Sequence, residues 1–285
     1  MSQTGELSIA FVSQVPQLYE ASLAFLSQYE KSACALYESL LRKDKHLYVV
    51  FRSFLQSVSI EGLFSFNGET ILCQFKNASA QLRSCLSAFF SDAKVTCLAG
   101  QEHSVKLMAE ALKNTANGSA NEVRTFMLME CRAPVEAKQK VLVRLATEAD
   151  EDSVLQMHLA FLKEEVAPAW LKETIANRES LERRSVRRKI SQKVFRLIEQ
   201  EDSVFCLARV DVQTPHYVQI AGVYTNPAFR NKGYAKSLVC QLTKEICALE
   251  KSAVLFVDVT NEAACHVYQS AGFVAFDRYR ICYYK

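Results

Sequence analysis

The sequence contains no run of eighteen apolar residues, so no segment reads as a membrane-spanning helix. Its start, MSQTGELSIAFVSQ, lacks the basic-then-apolar order of a secretory leader. Neither sign of charge dominates. There are 34 Lys and Arg against 31 Asp and Glu, a net charge of +3, which by itself implies neither nucleic acid nor a membrane surface as partner. The ten cysteines form no Cys-x-x-Cys pair and no clustered Cys/His set, which argues against a structural zinc site. Most lie in apolar surroundings such as ILCQF, VTCLAG and VFCLA, where a free thiol behaves as a small hydrophobe. A reduced, cytoplasmic protein without a metal is the expectation.

What remains is a globular composition. The chain has 285 residues, 49% apolar and 23% charged, enough for one large domain or two ordinary ones. Residues 17–42 read as helical. HLYVVF reads as a strand or a helix segment, and IEGLFSFNGETILCQF as a hairpin turning at Asn67-Gly68 with positive φ at both. ASAQLRSCLSAFF and EHSVKLMAEALKN read as helices around a strand, KVTCLAG, and VRTFMLMEC as a further strand. RAPVEAKQK then suggests a boundary, giving expected domains of 1–135 and 141–285. Beyond it come a strand in VLVRLA, an amphipathic helix with an acidic first turn, and a second helix over about 173–190. Three antiparallel strands follow, joined by turns at Glu201-Asp202 and Thr214-Pro215. A helix over 231–249, the strand AVLFVDV and a short helix in NEAACHVYQSAGF complete the pattern. Residues 71–131 and 217–284 share one order of elements without a residue-level repeat.

The basic run NRESLERRSVRRKISQK (177–193) has seven Lys and Arg, but Glu179 and Glu182 dilute it and no aromatics interleave. It reads as a solvated helix, and nucleic acid is not an expected partner.

TNPAFRNKGYAKSL (225–238) places a turn directly before a helix. The first N–H groups of a helix lack internal partners and lie at the positive end of its dipole, which suits an anion such as phosphate. Gly233 permits close approach to the backbone, Ala235 is nearly as small, and Arg230, Lys232 and Lys236 add positive charge.

GVYTNPAFRNKGYA resembles motif A of the GCN5-related N-acetyltransferase superfamily, Arg/Gln-x-x-Gly-x-Gly/Ala, met here by Arg230, Gly233 and Ala235. NEAACHVYQSAGF is similar to the superfamily's Asn-x-x-Ala-x-x-x-Tyr-x-x-x-Gly-Phe segment, met by Asn261, Ala264, Tyr268, Gly272 and Phe273. The resemblance covers about residues 141–285. It is strongest to a bacterial branch that carries a second, degenerate copy of the fold at the N-terminus. It implies an α/β (α+β) protein of two such domains, each a mixed, mostly antiparallel sheet flanked by helices. At the corresponding place in the first half, KNASAQLRSCL (76–86) has no glycine, so that half is expected to bind no cofactor.

The activity implied is transfer of an acetyl group from acetyl-CoA, as co-substrate, to a primary amine. The resemblance assigns the acetyl and pantetheine parts to Val223, Tyr224 and Thr225, and the pyrophosphate to Arg230, Asn231, Lys232, Gly233, Tyr234, Ala235 and Lys236. Asn261 would contact the pantetheine arm, a role compatible with a plain helix N-cap. Tyr268 is implied as the general acid, since a phenol can donate to a departing thiolate and stay neutral beforehand; a core tyrosine is the competing reading. The strand position where some relatives carry a basic glutamate is Gln219, which cannot take a proton. Glu164, Glu165 and His216 are the other candidates, and Glu165 joins Tyr268 as the catalytic expectation. A different acyl donor, or a non-catalytic acyl-CoA-binding or regulatory protein, are the alternatives.

Overall fold

The computed structural model describes residues 6–14, 16–54, 57–137, 139, 141–201 and 203–285. The chain divides into two compact units, Met1–Leu128 with Phe276–Lys285, and Met129–Ala275.

The first unit contains β1 (Leu7–Phe11), α1 (Pro16–Ser27), α2 (Cys34–Leu41), β2 (Leu47–Phe54), β3 (Ser57–Phe66), β4 (Thr70–Phe75), α3 (Ala80–Phe89), β5 (Cys97–Gln101), α4 (Glu102–Lys113) and most of β6 (Glu122–Cys131). Its strands run in the order β1-β2-β3-β4-β5, then the chain's last strand, β12 (Val274–Tyr283), then β6. Pairing is antiparallel except for parallel β4 and β5 among the first five. Alternation sends neighbouring residues to opposite faces. Val49 and Leu63 pack with Leu26, Leu36 and Leu40 of α1 and α2, while Val50 and Phe64 pack with Leu86 and Met108 of α3 and α4.

The second unit holds β7 (Arg144–Leu145), α5 (Glu151–Phe161), α6 (Glu179–Ser191), β8 (Phe195–Gln200), β9 (Ser203–Gln213), β10 (Tyr217–Thr225), α7 (Tyr234–Cys247), β11 (Ser252–Asp258) and α8 (Glu262–Ser270). Its order is β11-β10-β9-β8-β7, antiparallel except for parallel β10 and β11. Residues 205–208 of β9 are all buried, so both faces of the sheet are covered there. Leu155 of α5 and Val186 of α6 join Leu197 and Leu207 in one cluster, and α7 packs across β8–β11.

Several expectations change. Residues 17–42 form two helices, because the Tyr29 carbonyl accepts from the N–H groups of Ser32 and Ala33 and turns the chain without glycine or proline. In the hairpin turn only Gly68 has positive φ (+97°). The Asn67 side chain closes the turn, accepting from the Glu69 and Thr70 N–H groups at 3.2 and 2.9 Å. The helix expected over 173–190 becomes short 3-10 turns, 169–174 and 176–178, followed by α6. Asp202 of the expected Glu201-Asp202 turn lies outside the described residues. Two arginines of the basic run are paired rather than merely solvated: Arg183 with Glu151, Asp152 and Glu179, and Arg187 with Glu151. The domain boundaries also differ from 1–135 and 141–285. β12 pairs antiparallel with β5, from Tyr279 opposite Gln101 to Tyr283 opposite Cys97, and Cys282 and Tyr284 enter the first unit's core. All ten cysteines are free.

Asp150 anchors the start of α5. It accepts from both Arg144 Nη atoms at 2.7 and 2.8 Å, and from the Thr147 N–H at 2.7 Å and hydroxyl at 2.9 Å. The Arg144 guanidinium overcomes partial burial and, with Thr147, holds this carboxyl at about 2. A depressed folded pKa contributes stability that is complete above the ordinary aspartate value and lost as pH falls toward 2. Asp150→Asn should therefore lower stability at neutral pH by about 2 kcal/mol and flatten its decline between pH 4 and 2, measured by denaturant unfolding at each pH.

Candidate active site

Strand β10 organises the site. It pairs with β11 only from Tyr217 to Gln219, although both strands continue. On its other edge, the register shifts between Ala221, opposite Arg209, and Tyr224, opposite Leu207. Gly222 and Val223 thus form a β-bulge, which bends the strand and re-aims its backbone. Gly222 sits at φ +58°, and a Cβ there would collide with the Arg209 guanidinium. A glycine inside the strand pattern IAGVYT is a bulge signal that was available in the sequence.

Past Thr225 the chain makes a short 3-10 turn at Pro227–Phe229, with the Asn226 side chain accepting from the Ala228 N–H at 3.1 Å. Phe229 stacks on Phe205 of β9 (centroids 4.4 Å, planes 14° apart), and Tyr234 meets the same ring edge-on at 4.7 Å. These contacts pin both ends of the loop; the sequence reading did not include them. Asn231 and Gly233 adopt positive φ, +61° and +81°, and α7 starts at Tyr234 rather than 231. Arg230 closes the loop, its Nε donating to the Thr225 carbonyl at 3.0 Å. Its Nη2 donates to Glu164 Oε2 at 2.7 Å, and its guanidinium lies over the Tyr224 ring at 5.4 Å. Its charge is therefore already partnered inside the protein.

From the other side comes α8. Asn261 caps it, accepting from the Ala264 N–H at 3.0 Å, and its Nδ2 donates to Glu165 Oε2 at 2.9 Å. Tyr268, two helical turns beyond Asn261, is 8% exposed. Burial pushes the Tyr268 phenol well up, and the Glu165 carboxylate adds to that push, so the hydroxyl keeps its proton at neutral pH.

These elements enclose a cleft of about 860 Å³, within the range of small-molecule sites. Of the residues singled out from the sequence, Val223, Tyr224, Thr225, Arg230, Asn231, Gly233, Tyr234, Ala235, Lys236, Asn261, Glu165 and Tyr268 line it. Lys232 does not; its ammonium lies 5.3 Å from the Phe229 ring centroid. His216 precedes the far end of β10, roughly 23 Å of extended chain from Val223, which removes it as a base. Gln219 ends the ladder with β11. Glu164 has both oxygens engaged, accepting from the Tyr224 hydroxyl and Arg230, each at 2.7 Å. Burial would raise its pKa, but these two bonds hold the carboxyl below the usual range and leave it a poor base. Among the described residues, no group of three or more His, Cys, Asp or Glu is placed to hold a metal ion.

The fit to coenzyme A can be tested on this geometry. An extended amide-bearing arm needs unpaired strand backbone, supplied where β10 parts from β11. A diphosphate needs a helix start with a glycine approach, supplied by Gly233 and α7. The residues fit both.

The two-unit arrangement is the tandem form of the GCN5-related N-acetyltransferase fold. Residues 186–281 match the family described as FR47-like protein. An acetyltransferase of the GNAT family from Colwellia psychrerythraea aligns over 98% of this chain and 100% of its own, with TM-score 0.57 and 13% identity. A GCN5-related N-acetyltransferase from Sphaerobacter thermophilus aligns over 97% and 94%, with TM-score 0.57 and 15% identity. A tandem GNAT protein from the clavulanic acid biosynthesis pathway aligns over 97% and 98%, with TM-score 0.56 and 11% identity. At these identities the likeness is one of fold. No curated protein sequence matches the chain.

Gly222→Ala tests the bulge. A left-handed backbone costs an L-residue ~1–2 kcal/mol, and the guanidinium end of Arg209 would have to move aside. The melting temperature should fall by roughly 2–6 °C in a calorimetric scan.

Proposed function

We propose that the second unit binds acetyl-CoA and transfers its acetyl group to a primary amine. The observation that carries this reading is the junction of three features in one cleft. They are the parted backbone of β10, the glycine-started helix α7, and the Glu165 and Tyr268 pair.

Acetyl-CoA would supply a thioester, an acyl donor toward amines. Backbone groups of Val223–Thr225 would hold the acetyl and pantetheine parts, and Asn261 would bond the arm through its side chain. The N–H groups at the start of α7, from Gly233 to Ala235, would bind the diphosphate, with Lys236 nearby. Arg230 would serve by shaping that loop, since its guanidinium is spent on Thr225 and Glu164. Glu165 would take the amine's proton at a carboxylate oxygen. Tyr268 would hold a proton at its hydroxyl for the leaving sulfur; its raised pKa keeps that proton in place beforehand.

The first unit would bind none of this. At the start of α3 the Ser79 hydroxyl accepts from the Leu82 N–H at 3.1 Å, a side-chain cap where α7 has bare backbone. β4 and β5 stay paired up to Cys73 and Gly100, and beyond them Gln74 Nε2 donates to Gln101 Oε1 at 2.8 Å. A purely acyl-CoA-binding protein would share the cradle in the second unit and need neither Glu165 nor Tyr268. Thiol release from acetyl-CoA with a panel of amines separates the two readings.

Titration calorimetry with acetyl-CoA should give one site per chain. Gly233→Asp should abolish it with folding retained by circular dichroism, because a carboxylate would then face the phosphates on a strained backbone. Unchanged affinity would remove the reading. Tyr268→Phe should leave acetyl-CoA affinity nearly constant and slow single-turnover transfer by ~10²–10⁴-fold. Matching single-turnover rates would return Tyr268 to the core.

A further inference from the structure

Between α5 and the 3-10 turns, residues Leu162–Val166 wind as one π-helical turn, closed by the Ala167 N–H donating to the Leu162 carbonyl at 2.8 Å. Such turns in an α-helix often mark functional sites. Here the consecutive residues Glu164 and Glu165 grip two segments that are far apart in the chain. Glu164 takes Tyr224 and Arg230, at the end of β10 and in the phosphate loop. Glu165 takes Asn261, the cap of α8. Only Glu165 lines the cleft; Glu164 stands behind it.

We propose that Glu164 is a positioning residue that fixes Glu165 in the cleft, and that it also neutralises Arg230 beside the phosphate loop. The inference rests on the function proposed above. Its first half follows from the bonding. Both Glu164 oxygens are held, one by a hydroxyl whose ring is buried in the second unit's core, so the turn carrying Glu165 is tied to β10 through one side chain. Its second half follows from charge. Arg230 Nε keeps the loop closed on Thr225 without help from Glu164. Removing the Glu164 charge therefore leaves the loop's shape and frees a guanidinium next to the place for a diphosphate. The two effects have opposite signs, and a mere loss of structure cannot imitate them.

The test is Glu164→Gln, which keeps an acceptor for Tyr224 and removes the charge. Acetyl-CoA binding, measured by calorimetry, should tighten ~2–5-fold at low salt and return toward wild type as salt screens the freed charge. Hydrogen exchange over Leu162–Ala167 should accelerate at least ~10-fold as the turn loosens. Single-turnover transfer to an amine found by the panel should slow ~10–10²-fold, the scale of a misplaced catalytic group. Tyr224→Phe cuts the other bond only, so it should slow transfer and speed exchange without tightening acetyl-CoA binding. Looser acetyl-CoA binding in Glu164→Gln, or unchanged exchange over the turn, would overturn the proposal. Wild-type protein that fails to bind acetyl-CoA would instead sink the parent function, and this inference with it.

Discussion

The site depends on one interruption in hydrogen bonding. Adjacent strands normally pair until one of them ends, since unpaired backbone groups are costly. Strand β10 leaves β11 after Gln219 with six residues still to run, and the bulge at Gly222–Val223 turns it further. The opening exposes backbone groups, and α7 and α8 both start beside it; α7 starts without a side-chain cap, while Asn261 caps α8. In the first unit the same order of elements gives no opening. A Cβ on Gly100 would strike the Cys73 carbonyl, so β4 and β5 run in close contact there. Beyond that point Ser104 accepts from the Phe75 N–H at 2.9 Å, and His103 bonds the Phe75 carbonyl at 2.7 Å. Side chains satisfy in one copy what the other leaves free.

Charge in the second unit is arranged with similar economy. Arg230, in the loop ahead of α7, is bonded to a backbone carbonyl and a glutamate. Positive character at the loop therefore resides in the helix start, which the backbone fixes, and in the Lys236 side chain that lines the cleft. The buried Tyr268 phenol and the Glu165 carboxylate line one cleft, and burial, with that carboxylate beside it, makes the phenol hold its proton more tightly.

Much of this was legible in the sequence, and the exceptions have physical causes. The loop and α8 were readable because each depends on local chemistry: glycine at positive φ, asparagine as a cap, an amphipathic period. Arg230 was readable as a site residue but not in its role, because the partner that redirects it, Glu164, is 66 residues away in the chain. Glu164 and Glu165 look alike in FLKEEVAP; as consecutive residues on one helical turn they face different directions and meet different segments. Lys232 satisfied a charge pattern, yet the positive φ of Asn231 and Gly233 on either side swings its side chain over Phe229. The assignment of the last strand to the first unit had no local signal, since it rests on pairing with β5, far earlier in the chain.

That last strand has a consequence for assembly. Cys282 and Tyr284 belong to the core of the unit whose other strands come earlier in the chain. Strand β12 comes far later in the chain than β5, so the edge of β5 lacks that partner until the later segment has folded back onto it. The second unit, by contrast, draws β7–β11 from one continuous stretch of chain. The first unit is thus the one whose assembly depends on a distant segment, and its sheet keeps an open edge until that segment docks.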